Sequence, residues 1–149
     1  MSRGYLLDTN VVSETVRKLP DVTVMDWLDS LDAQQLHVSV LTLGELHKGV
    51  LMTVDVRRRD RLTQWLTTTL PAWFGDRVLT IDAAVSTRWA QLLAAAGRPL
   101  PAIDSLLAAT ALQHDLVLVT RNVRDFDFPD LAVHSPWSAT SARKRPIAP

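Results

Sequence analysis

The run LVLVT at residues 116–120 constrains the fold more than any other stretch of this chain. It is short and almost unbroken in its apolar character, as in a strand of a parallel sheet that is covered on both faces. Parallel strands cannot be joined by tight turns and need long crossovers, most often helices. The rest of the sequence supplies both parts. Residues 4–8, Leu36–Val40 (LHVSV) and Val78–Ile81 (VLTI) read as further strands, and Ala132–His134 as a short last one.

Helical spacing fills the intervals. Val11 to Lys18 reads as helix up to Pro20, and Val22 to Leu31 as a second piece with Val24, Trp27, Leu28 and Leu31 on one side. Leu43, Leu46 and Val50 place a helix over 41–50 that carries Glu45. Leu62, Trp65, Leu66 and Leu70 form the apolar side of another, with an arginine-rich front end, and Pro71 should end or kink it. Asp82 reads as the cap of a helix running to about Ala96. GRPLP is a connection, and IDSLLAATALQHD opens a helix with Leu107, Ala108, Ala111 and Leu112 at core spacing. Strands alternating with helices give an α/β class: a three-layer α/β/α sandwich on a mainly parallel central sheet.

At 149 residues the chain fits one domain around one core. Residues 1–137 are read as that domain. From Ser138 the periodicity is lost and three basic residues appear, so 138–149 are read as a flexible basic tail. A formal net charge of +0 means that nucleic-acid binding must come from local patches, a bound metal or a partner. The absence of cysteine excludes disulfides, thiolate metal sites and cysteine nucleophiles, and accords with a reducing cytoplasm. No leader-like apolar segment is present, and no stretch approaches the ~20 residues that span a bilayer. A cytoplasmic protein without a membrane role is expected.

LLDTN, residues 6–10, poses the functional question: why should a buried strand end on a carboxylate, a hydroxyl and an amide? A helix cap would account for Asp8 alone. In parallel α/β folds, however, sites form outside the carboxyl ends of the strands. Glu45 follows LHVSV, Asp104 begins the helix before LVLVT, and Asn122 and Asp125 follow LVLVT itself. Four or five acids and amides cannot all be caps. Carboxylates gathered together repel and resist burial, and a hard divalent cation offsets both effects. Mg²⁺, with Mn²⁺ as the alternative, prefers such oxygen ligands. Zinc fits poorly, since His37, His47, His114 and His134 show no ligand spacing. No glycine-rich phosphate loop and no GxSxG elbow occurs.

Taken together, LLDTNVVSE (6–14), LTLGELHKGV (41–50), LPAIDSLLAATALQHDLVLVTRNVRDF (100–126) and the closing PW (136–137) resemble the PIN-domain family, in particular the VapC- and FitB-type toxins of toxin–antitoxin pairs. The resemblance implies metal-binding acids at Asp8, Glu45 and Asp104. A fourth position falls on Asp125 or Asn122, the latter neutral and supporting. It further implies a Mg²⁺- or Mn²⁺-dependent endoribonuclease with RNA as substrate. The cognate antitoxin would be its partner, a homodimer its assembly, and promoter DNA would be bound only through the antitoxin complex.

Two other functions share these residues: a PIN scaffold with little nuclease activity, which would have no use for clustered carboxylates, and a DNA-directed nuclease. Thr9, Asn10, Ser39 and Thr120 are candidates to hold the ligands by hydrogen bonds. Arg57, Arg58, Arg59 and Arg61 form either a solvated face or, with Arg121 and Arg124, a phosphate contact. The tryptophans Trp27, Trp65, Trp73, Trp89 and Trp137 read as core or interface.

Overall fold

The computed structural model describes residues 3–138; the expected tail lies outside the described residues from 139 onward. Five strands, β1 (Tyr5–Leu7), β2 (Leu36–Ser39), β3 (Val78–Leu79), β4 (Val117–Val119) and β5 (Val133–His134), form one sheet in the order β3-β2-β1-β4-β5. Every pairing is parallel. Seven α-helices connect them: α1 (Thr9–Glu14), α2 (Val22–Asp29), α3 (Val40–Leu51), α4 (Val56–Gln64), α5 (Leu70–Phe74), α6 (Ala83–Ala96) and α7 (Ala102–Gln113).

Strand alternation divides the core into two layers. Leu6 and Leu118, paired in register, face Leu92 of α6 and Leu107, Ala108 and Ala111 of α7. Leu7 and Val119, also paired, face the other way and join Leu36, Val38 and side chains of α1–α5. The α/β/α sandwich follows. Both neighbours of β1 are reached by crossovers running in opposite directions, so the rim beyond β1 and β4 is the crevice where parallel sheets bind ligands.

Helix starts follow cap chemistry. Asp21, Asp55 and Asp82 accept backbone N–H bonds at the heads of α2, α4 and α6, and Ser39 does so for α3. The α3 cap corrects one boundary: Val40, expected at the end of a strand, is the first residue of the helix. The first helix is also shorter than expected and ends at Glu14. There the Thr15 hydroxyl donates to Val12 O, and the buried Glu14 carboxylate accepts from Asp21 N at 3.0 Å and pairs with Arg17. Gly97 ends α6 in the left-handed conformation, φ +65°.

Pro71 does not end its helix; it is the second residue of α5, which follows directly on an irregular turn. Trp65–Thr69 form a π turn in which Leu70 N–H reaches back to Trp65 O. The wider turn suits a proline, whose ring would collide with the carbonyl four residues earlier in a regular helix. It also suits the apolar spacing. Leu62, Leu66, Leu70 and Phe74 recur every fourth residue, which overshoots a regular helix by about 40° per step. Slower rotation through the π turn keeps Leu66, Leu70 and Phe74 all buried.

Arg77 is buried at 9% exposure without a carboxylate partner among the described residues. Its guanidinium donates to Ala33 O, Leu36 O and Trp73 O and lies over the Phe74 ring. Among the described residues, no helix is long and apolar enough to cross a membrane.

Candidate active site at the strand ends

Asp8 leaves the end of β1 as the N-cap of α1, and its own N–H donates to Val119 O at 2.9 Å, which ties it to β4. The residue is 8% exposed. Oδ1 accepts from Thr9 N at 2.8 Å, and Oδ2 accepts from the Thr120 hydroxyl at 2.9 Å. LLDTN is thus a strand end and a cap at once, and the cap does not exhaust the carboxylate.

Glu45 lies on the exposed side of α3, where its Oε1 accepts from the Thr9 hydroxyl at 2.8 Å. Asp104 sits in the first turn of α7, which starts after Pro101 without a side-chain cap bond, so its carboxylate is not spent on capping. Asp125 is exposed in the 3₁₀ turn Val123–Phe126 that follows β4. Asn122 precedes that turn, and its backbone N–H donates to Thr120 Oγ1 at 3.1 Å.

Electrostatics joins four of these groups. Burial raises the Asp8 pKa from 3.8 to about 6 against the opposing hydrogen bonds from Thr120 and Thr9, and the charges of Glu45 and Asp104 add to the rise. The Asp104 pKa is raised as well, by burial first and then by Asp125 and Glu45. The carboxylates of Asp8, Glu45, Asp104 and Asp125 therefore act on one another across one rim of the sheet. Among the described residues, Asn122 is joined to the group by its backbone bond to Thr120.

Donor chemistry fits a hard divalent cation, being oxygen throughout with no thiolate available. Among the described residues, no three Asp, Glu or His side chains stand close enough together to enclose an ion as they lie. Repulsion between like charges acts in that direction.

Of the four polar residues considered as supports, Thr120 and Thr9 reach a carboxylate side chain. Ser39 is spent on the α3 cap, and Asn10 bonds to Thr120 and to Arg121 N. Arg121 lies over the Trp137 ring at 5.2 Å, so the closing tryptophan holds a cation beside the rim. Arg57–Arg61 lie on α4 and make no ion pair among the described residues. Ring packing places Trp27 against Tyr5 and His134, and the Trp89 indole donates to Ser105 Oγ, joining α6 to α7. Sequence reasoning passed over this last bond because Ser105 looks like an ordinary helix residue.

Comparison with known proteins gives concordant results. The PIN domain model matches residues 5–133. The chain is 37% identical over 135 residues to Toxin FitB of Neisseria gonorrhoeae, covering 89% of this chain and 97% of that protein. It is 35% identical over 136 residues to VapC ribonuclease Y4jK of Sinorhizobium fredii, covering 89% and 96%. The solved structure of FitAB bound to an IR36 DNA fragment superposes with a TM-score of 0.82 at 34% identity, covering 90% and 96%.

Proposed function

Because the chain belongs to the PIN-domain family, we propose that it is a divalent-cation-dependent endoribonuclease and the toxin of a toxin–antitoxin pair. One observation carries the reading. Four carboxylates with no better structural employment act on one another at the sheet rim, and one of them is buried with its pKa near 6. A fold that spends stability in this way has a use for concentrated negative charge. Kinship with proteins named as a toxin and as a ribonuclease supports the chemistry.

In this reading Asp8, Glu45, Asp104 and Asp125 hold Mg²⁺ or Mn²⁺, with Asn122 contributing an uncharged oxygen. When bound, the cation supplies an activated water at neutral pH and offsets charge on phosphoryl oxygens. The chain does the rest. Thr120 and Thr9 N–H each bond one Asp8 oxygen, and the Thr9 hydroxyl restrains Glu45. Arg124, exposed one residue before Asp125, is available to an RNA phosphate. No serine or cysteine nucleophile is called on, so water attacks directly. The partner is the cognate antitoxin, which also carries the complex to promoter DNA; the solved structure of FitAB bound to an IR36 DNA fragment supports DNA binding by such a complex. Exposed Leu19, Val22, Leu51, Met52, Val54 and Val56 supply apolar surface for the antitoxin and for a second copy in a homodimer. The location is the cytoplasm.

The test is cleavage of RNA by purified protein. Activity should require Mg²⁺ or Mn²⁺, stop with chelator and be absent in Asp8→Asn. Mass spectrometry of the fragments should find 5′-phosphate and 3′-hydroxyl ends. A 2′,3′-cyclic phosphate would overturn the mechanism, since it marks attack by the RNA's own 2′-hydroxyl.

A further inference from the structure

The hydroxyl of Thr120 has three polar neighbours, and together they leave it no freedom. Asn10 Nδ2 approaches Oγ1 at 3.4 Å and Asn122 N at 3.1 Å, while Asp8 Oδ2 lies at 2.9 Å. A hydroxyl offers one hydrogen and two lone pairs. Both nitrogens can only donate, so they occupy the lone pairs and the single hydrogen goes to Asp8. The orientation of the Asn10 amide is fixed in turn by Arg121, whose backbone N–H donates to Asn10 Oδ1 at 3.2 Å. Flipping the amide would set donor against donor at Arg121 and leave Thr120 facing a second acceptor.

We infer that Asn10 is a positioning residue: its amide commits the Thr120 hydroxyl to Asp8 and so fixes the carboxylate for cation binding. The inference rests on the metal-site reading above. Asn10 itself touches no carboxylate, so its effect reaches the ion only through Thr120. Residues that orient ligands in this way cost about 10- to 100-fold in metal affinity when changed. A simpler role, tying the β1–α1 junction to the end of β4, would alter stability and leave cation affinity unchanged.

Calorimetric titration of the full-length protein with Mn²⁺ separates the two. Asn10→Ala and Thr120→Val should each weaken binding by about tenfold. The double variant should bind no more weakly than Thr120→Val alone, because both changes act through one hydroxyl. Asn10→Leu keeps the length of the side chain, removes its donor and adds no charge. It should also bind Mn²⁺ about tenfold more weakly than the wild type, and it decides the matter if Asn10→Ala does not fold. Wild-type affinity in either Asn10 variant or additive losses in the double variant would overturn the inference. Failure of the wild type to bind Mn²⁺ would overturn the metal reading and the inference with it.

Discussion

Replacing Asp8 by Asn should make the metal-free protein more stable at neutral pH and no more stable in acid. The folded carboxyl titrates near 6 and the unfolded one near 3.8. The native state therefore binds more protons between those values, and wild-type stability falls as pH rises through that window. A gap of about two pH units at about 1.4 kcal/mol each makes the charged form cost roughly 3 kcal/mol above pH ~7. Asp8 is only 8% exposed, so little of this is screened by water. The variant gives some of it back. Its amide nitrogen meets a Thr120 hydroxyl already committed to donating, and that mismatch costs about 1 kcal/mol.

The net gain is about 2 kcal/mol, or on the order of 5 °C in Tm for a chain of this size. Below about pH 3 both states are protonated and the gain vanishes. Urea unfolding of both proteins in chelator, at several pH values from about 4 to about 7.5, reads the difference directly. The raised pKa of Asp104 itself, caused by burial, Asp125 and Glu45, is common to both proteins and largely cancels in the comparison. A difference that stayed flat across the window would refute the burial argument, and with it the claim that the site is electrostatically strained.

Two further outcomes follow from the fold. Arg77→Ala removes the guanidinium donor from the carbonyls of Ala33, Leu36 and Trp73, the first of which still accepts from Leu36 N–H, and should cost about 3 kcal/mol, read as a Tm lowered by on the order of 10 °C; a loss below about 1 kcal/mol would show that water replaces the guanidinium. For the proposed homodimer, light scattering should find a species of twice the 16.6 kDa chain mass, and a monomer across a wide concentration range would exclude a stable homodimer.

The strand–helix alternation and the candidate acids were legible because both depend on local pattern. A strand buried on both faces is visible in LVLVT, and an acid at a strand end announces itself when the cap explanation is used up. Asp21, Asp55 and Asp82 do serve as caps, and nothing in their composition separates them from Asp104, which does not. Asp8 combines the two roles. The hydrogen bonds around Asp8 were legible only as a set of candidates, because Thr120 reaches it across 112 residues and only through the register of β1 on β4. The same dependence hid the fate of Asn10. Arg77 gave no signal, since an arginine beside a glycine-bearing turn reads as surface until the carbonyls around it are seen. The π turn at Trp65–Thr69 was announced by Pro71 as a disturbance, but its form follows from the four-residue leucine spacing, which a search for regular helical periodicity does not isolate.

The two outer strands of the sheet, Val78–Leu79 and Val133–His134, are two residues each. Rungs so short offer an incoming chain almost nothing to zip against, which closes off strand addition as a mode of association and of aggregation. Exposed apolar side chains lie instead on helices and the loop between them, where Leu51, Met52, Val54 and Val56 stand out from the end of α3 and the head of α4. A companion bound there can arrive or depart without a single rung of the ladder being broken or remade. In the proposed toxin, departure of the antitoxin from these helices breaks no strand pairing of the sheet.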